Sequence, residues 1–361
     1  MTYRVIGIMS GSSLDGVDLV FAALESKGKE WKYELLASAC VPYDESWRER
    51  LKAAETCSLR DYFELDRGYG DYLGETVNRF IETHQLEYKV QMIAVHGHTV
   101  FHHPERGFTH QLGQGAAIAA RTGVPVVTDF RSMDIALGGQ GAPLVPLGEK
   151  LLFPGYDFYL NLGGIANVSA HHSGGVVGFD VCAANAILDT VARAQGLPFD
   201  DKGNCARAGS LHPPLLHSLN ELPYYQLPHP KSLSNQFGRD IILPLIQQAN
   251  LSPNDALHTY TEHIALQISK AINQFETLPH QPASLFITGG GAFNTFLLER
   301  IRHHLPEVNL ILPDPSVIKF KEALIMALLG VLRWREEPTV IAGVTGAVKE
   351  SIGGAIWAGH L

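Results

Sequence analysis

Two stretches, one opening the chain and one near its middle, constrain the fold more than anything else in it. Residues 5–25 read VIGIMSGSSLDGVDLVFAALE, and residues 156–181 read YDFYLNLGGIANVSAHHSGGVVGFDV. In the first, the apolar run Val5 to Met9 and the second run Val17 to Leu24 flank a bend of small and hydroxyl residues, which is the pattern of a β-hairpin. The second stretch repeats it with a Gly163-Gly164 turn. Two glycine-turn hairpins, each beginning one half of the chain, suggest a duplicated αβ unit whose halves hold one ligand. Backbone amides clustered in such bends suit phosphate oxygens, and glycine lets a ligand approach the backbone closely. Each turn taken singly is also compatible with an ordinary hairpin.

Length supports a division into two. At 361 residues the chain exceeds what a single core usually serves, and the restart near residue 150 places one lobe at 1–150 and the other at 151–361. Hydrophobic residues make up 45% and charged residues 18%, the balance of a globular protein and too apolar for disorder. A net charge of −9 argues against nucleic-acid partners, which need concentrated Lys and Arg. The four cysteines form no CxxC pair, so neither a disulfide framework nor a structural zinc site is suggested, and a reducing cytoplasm fits. The longest apolar stretch, Ala323 to Leu332, is too short for a membrane span and reads as a buried helix.

Further strands end in groups that can carry chemistry. KVQMIAVHGHTVFHHP (89–104) runs from a buried strand into a Gly-His loop, and TGVPVVTDFRSMDIALGGQGAPLVP (122–146) runs from a second strand into charged residues. Groups just past the carboxyl ends of strands face the ligand in open α/β sheets, which singles out His96, His98, Thr99, Asp129, Arg131 and Asp134. Ser58 caps an expected helix over 59–84, and a long amphipathic helix is expected over 257–275. SLFITGGGAFNTFLLERI (284–301) is a strand entering three glycines and then a helix, an arrangement that presents a helix N-terminus to a nucleotide. Its spacing is not that of a dinucleotide fingerprint, and no GxxxxGK[ST] occurs.

Taken together, GIMSGSSLDGVD (7–18), HGHTVFH (96–102), the 122–146 block, NLGGIANVS (161–169), GFDVCAAN (178–185), ITGGGAFN (287–294) and VTGA (344–347) resemble the anhydro-N-acetylmuramic acid kinase family. That family belongs to the acetate kinase, sugar kinase, heat-shock protein and actin superfamily. The resemblance implies an α/β, two-lobed actin-like (ribonuclease H-like) fold with a central cleft. It implies ATP and Mg²⁺, with Gly11, Ser12, Ser13, Asp15, Gly16, Asp18, Gly163, Gly164 and Asn167 at the phosphates and Gly289, Gly290, Gly291 and Asn294 at the nucleoside. Asp180 is implied as general base for a water attacking the anomeric carbon of a 1,6-anhydro sugar while O6 takes the γ-phosphoryl group. His98, Thr99, Arg131, Asp134 and Glu322 are implied at the sugar.

The residues alone leave other readings open. Asp180 could cap a helix, Arg131 could pair with Asp129 or Asp134, and Glu322 could face a helix dipole. Four histidines among residues 96–103 invite a metal reading, but no carboxylate stands at ligand spacing among them. Cys182 reads as a packed thiol. No magnesium ligand is indicated, and a homodimer is left open.

The chain departs from the family pattern at Val181 to Ala184, Leu233 to Gln236 and Leu147 to Glu149, all on the expected sugar side. The alternatives are therefore a kinase of a different amino sugar, or a nucleotide- and sugar-sensing protein without catalysis.

Overall fold

The computed structural model describes every residue except 12, 13, 173, 174, 230, 276–281, 360 and 361. The chain forms two compact units, Met1–Pro154 with Phe320–Leu361, and Gly155–Lys319. The first break falls within a few residues of the expected one at 150. The C-terminal lobe expected over 151–361 differs from the observed unit, because the chain from Phe320 onward returns to the first. The reason is the helix Pro315–Trp334, whose residues from Ala323 to Leu332 are all buried. Its packing partners were not legible from local pattern.

In chain order the first unit contributes β1 (Thr2–Ser10), β2 (Gly16–Lys27), β3 (Glu30–Pro42), β4 (Met92–Val95), β5 (His98–His103), β6 (Phe108–Leu112) and β7 (Val126–Thr128). The second contributes β8 (Phe158–Leu162), β9 (Ile165–His172), β10 (Gly175–Ala183), β11 (Ala283–Thr288) and β12 (Val308–Ile311). The last strand, β13 (Ala355–Trp357), rejoins the first unit.

The two main sheets have the same plan. The first runs β13-β7-β4-β1-β2-β3 and the second β12-β11-β8-β9-β10. Each begins with a three-stranded antiparallel meander, β1-β2-β3 or β8-β9-β10, whose first strand also pairs in parallel with a later one, β4 or β11. This is the duplicated ribonuclease H-like unit of an actin-like fold. β5 and β6 form a separate hairpin.

Strand character follows position. β1 is central, and Val5, Ile6 and Ile8 are almost wholly buried, as a strand covered on both faces requires. β3 is an outer strand that alternates between exposed and half-buried positions. Gly7 is demanded by packing: a Cβ there would stand 2.0 Å from the Ala323 carbonyl oxygen of the helix Pro315–Trp334. Ile6, Ile8, Leu19, Phe21, Tyr69 and Ile93 belong to the core of the first unit. Phe158, Leu160, Val168, Tyr260, Leu285 and Leu297 belong to that of the second. No helix among the described residues is long and apolar enough to cross a membrane.

Candidate active site

In the first unit, β1 ends in a buried polar chain. Ser10 Oγ lies 2.7 Å from the Tyr43 hydroxyl and 3.3 Å from His98 Nδ1, and Tyr43 is hydrogen-bonded in turn to Tyr69. Tyr69, on the helix Leu59–Thr83 capped by Ser58, is wholly buried. Burial pushes the Tyr43 phenol up to about 12, so it stays neutral. The turn that follows contains Gly11 and Asp15; Ser12 and Ser13 lie outside the described residues. The Asp15 carbonyl accepts the Tyr43 amide at 3.2 Å. Asp18, on β2 just past Gly16, is half-buried. Burial raises its pKa, a hydrogen bond from Cys40 opposes that, and the like charge of Asp15 adds to it.

Past the end of β4 stands His96, nearly buried. Its Nδ1 is 2.8 Å from the Gly97 carbonyl oxygen, which makes Nδ1 the protonated nitrogen and leaves Nε2 as an acceptor. Arg131 Nε and Nη2 approach that Nε2 at 3.0 and 2.7 Å, and Nη1 donates to the Gly141 carbonyl. Burial, with Arg131 adding to it, pulls the His96 pKa down to about 3. The imidazole is therefore neutral beside the guanidinium. Burial pulls Arg131 itself down to about 10, against the carboxylates of Glu322 and Asp134, so it keeps its charge at neutral pH. Burial also brings His98 to about 4. Thr99 follows, half-buried, at a bulge in the β5–β6 hairpin.

Glu322 feels both groups. Its pKa is raised by burial, lowered by Lys321 and raised by Asp18, with Arg131 lowering it as well. Lys321 is buried and paired with Glu149 at 2.7 Å, which ties the second turn of the helix Pro315–Trp334 to the helix Val145–Leu152.

Asp134, expected at the sugar, has both carboxylate oxygens engaged within the unit. It is fully buried, with Oδ2 accepting the Gly141 amide and Oδ1 accepting the Thr345 hydroxyl, both at 2.7 Å. It is a positioning residue for the loop 138–141, whose Gly141 carbonyl in turn holds Arg131.

In the second unit the meander aligns a row of polar residues. Asn161 on β8 pairs with Asn167 on β9, and Asn167 pairs with Asp180 on β10, so the three share one face of the sheet. The neighbouring row, Leu160, Val168 and Phe179, lies on the core face. The Asp180 Oδ2 accepts the Leu233 amide at 2.8 Å, and its own amide donates to the Lys231 carbonyl at 3.0 Å. Burial raises the Asp180 pKa, and the Leu233 hydrogen bond opposes it. That is the direction that readies a carboxylate to accept a proton.

The two glycine segments of this unit meet at Asn185. Asn185 begins the helix Asn185–Arg193, gives its amide to the Gly163 carbonyl at 3.1 Å and its Nδ2 to the Leu162 carbonyl at 2.9 Å. Gly164 accepts the Ala184 amide at 2.8 Å. Gly289 has φ +83°, and a Cβ there would stand 2.6 Å from Asn161 Oδ1, while one at Gly291 would stand 2.7 Å from the Leu162 Cβ. Gly290 opens a short 3-10 turn on the same segment. Asn294, expected at the nucleoside, caps the helix Thr295–His304, its Oδ1 accepting the Leu297 amide at 3.0 Å.

Sequence singles out His96 but not its pairing with Arg131, and it does not show Asn161 and Asn185 as the amides joining the glycine segments. His96 carried a signal, standing one turn residue from His98 at a strand end. The two asparagines lie within NLGGIANVS (161–169) and GFDVCAAN (178–185), where nothing local distinguishes their role. Among the described residues no group of three His, Cys, Asp or Glu side chains could hold a metal ion.

The family model for anhydro-N-acetylmuramic acid kinase matches residues 3–359. The chain belongs to this family. Curated anhydro-N-acetylmuramic acid kinases share it throughout their length: the one from Sulfurovum sp. is 35% identical over 98% of this chain and 99% of its own. The one from Streptomyces coelicolor is 36% identical over 99% of this chain and 94% of its own. Among solved structures, component A of (R)-2-hydroxyglutaryl-CoA dehydratase from Acidaminococcus fermentans aligns with 90% of this chain and 96% of its own, at TM-score 0.48 and 12% identity. Members of the anhydro-N-acetylmuramic acid kinase family are kinases, and kinases take their phosphoryl group from ATP.

Proposed function

We propose that this protein is the ATP-dependent enzyme that opens 1,6-anhydro-N-acetylmuramic acid with water and phosphorylates its O6, giving N-acetylmuramic acid 6-phosphate for cell-wall recycling in the cytoplasm. The observation that carries the reading is Asp180, a half-buried carboxylate at the end of the Asn161–Asn167–Asp180 row, held by one backbone amide and shifted toward basicity.

In this reading Asp180 takes a proton from water as the water oxygen bonds to the anomeric carbon. The bond from that carbon to O6 breaks, O6 bonds to the γ-phosphorus, and ADP leaves. The amides of the turns at Gly11 to Asp18 and Gly163 to Asn167, with Gly289 to Gly291, hold and orient the nucleotide. Arg131 offers a charged fork to the sugar's lactyl carboxylate, and His98, Thr99 and Glu322 serve the same sugar. Magnesium needs only one or two carboxylates beside the phosphates. Asp18 fits that need, an oxygen donor whose charge is raised in cost by burial and by Asp15, and the ion would neutralise phosphate charge.

ADP release measured against a panel of anhydro and free amino sugars tests the substrate. Turnover of the stimulating sugar in ¹⁸O-water should place label on the anomeric carbon and none on the transferred phosphate. Label in phosphate would mean ATP hydrolysis and end the proposal.

A further inference from the structure

Directly behind Asp180 lies a cavity of about 60 Å³ lined by Phe179, Val181, Lys231, Gln267, Lys270 and Gln274, among others. Phe179 and Val181 flank Asp180 on β10, so the strand that carries the base also forms a wall of this cavity. The lining is unusual in its charge: it includes two lysines and two amides and no carboxylate. The volume holds roughly four water molecules, about the bulk of one phosphoryl group.

Of the two amides, Gln267 is buried and Gln274 stands exposed at the rim. Gln267 donates through Nε2 to Asn220 Oδ1 at 2.7 Å, and the same oxygen is 2.8 Å from His263 Nδ1. Gln274 is anchored on the Ala271 carbonyl at 2.8 Å. Each keeps a second N–H. Lys231 is held over the Tyr224 ring at 4.7 Å and reaches the Tyr224 carbonyl at 3.2 Å. Lys270 rises from the helix Pro253–Asn273. Lys231 is half-buried and Lys270 stands exposed at the rim; two ammonium groups facing one cavity with no carboxylate in its lining attract an anion by charge.

We propose that this cavity binds a small oxyanion of the phosphate class, gripped by Lys231 and Lys270, and that its occupancy acts on Asp180. The coupling runs through the backbone. The Lys231 carbonyl receives the Asp180 amide, and two residues later the Leu233 amide holds the Asp180 carboxylate. An anion that draws on Lys231 therefore shifts the segment that orients the base. Burial already lowers the Lys231 pKa, a strain that a bound anion relieves. The binding stands by itself, while the effect on turnover rests on the function proposed above.

The test titrates the full-length protein, saturated with a non-hydrolysable ATP analogue to block the phosphate turns, with inorganic phosphate and with glucosamine 6-phosphate. Calorimetry is run at constant ionic strength on wild type, Lys270→Gln and Lys270→Arg. One equivalent should bind wild type, with affinity lower by about tenfold or more in Lys270→Gln and largely restored in Lys270→Arg. The tighter of the two ligands identifies a free anion or a phosphomonoester as the natural occupant. At saturating substrates, phosphate should change kcat in wild type and leave it unchanged in Lys270→Gln, whose basal kcat matches wild type. Identical isotherms for wild type and Lys270→Gln overturn the site. Binding that is lost in Lys270→Gln yet leaves wild-type kcat unmoved overturns the coupling.

Discussion

Asp134→Asn is the sharpest probe of how the first unit holds Arg131. The carboxylate accepts two hydrogen bonds, from the Gly141 amide and the Thr345 hydroxyl, both at 2.7 Å. Asparagine has the same shape but turns one oxygen into an amine, which faces a donor. One charge-assisted bond, about 1.5–3 kcal/mol, is lost, and the other falls to the neutral value of about 1 kcal/mol. Relief from burying a charge offsets part of this, so the net loss is about 2 kcal/mol. For a unit of this size that lowers Tm by about 4–8 °C. The functional consequence is separate. Gly141 carries both the amide that Asp134 holds and the carbonyl that receives Arg131, so the sugar KM should rise several-fold while the ATP KM stays put. Thermal melts and two-substrate kinetics read the two effects. Thr345→Val removes only one of the bonds and should leave the sugar KM closer to wild type. An Asp134→Asn protein with wild-type Tm and sugar KM would refute the reasoning.

Asp180→Asn should bind both substrates and lose turnover by about a hundredfold or more, and the acid limb of wild-type kcat should lie above the ordinary aspartate value of 3.8; steady-state rates across pH check both. Gly289→Ala places a Cβ 2.6 Å from Asn161 Oδ1 at φ +83°, a strain of about 1–3 kcal/mol, and should raise the ATP KM more than the sugar KM. His98 titrates near 4 in the folded chain against 6.5 unfolded. The unfolded state therefore binds the proton first, and stability contributed by the neutral imidazole is lost as pH falls from 6.5 toward 4. Urea melts of His98→Gln should show a shallower slope over that window than wild type, and an unchanged slope would remove His98 from the account.

The hairpins were legible because each is local: apolar runs with glycine bends located the turns of β1–β2 and β8–β9, though the strands run past the apolar runs Val5–Met9 and Val17–Leu24. Ser58 and the periodicity after it likewise located the helix Leu59–Thr83. Pairings between distant segments were not legible. Nothing local to Asp134 says that Thr345, far along the chain, will take one of its oxygens, and a carboxylate after a strand reads alike whether it faces a ligand or a buried loop. Asn294 shows the same ambiguity, since a residue opening a helix can cap it or serve a nucleotide. The return of residues 320–361 escaped for a related reason: a helix apolar on nearly every side declares burial without naming its partner.

That return has a consequence for synthesis. The first unit lacks the helix packed on Gly7, and the strand that borders β7, until the last part of the chain has been made. The unit Gly155–Lys319 has every one of its strands in hand earlier. At roughly 5–20 residues per second, the stretch from Phe320 onward takes on the order of seconds to emerge, so the middle of the polypeptide is expected to mature before its beginning. During that interval the amino-terminal sheet waits with β7 as a bare edge, the state in which pairing with a neighbouring nascent chain is easiest.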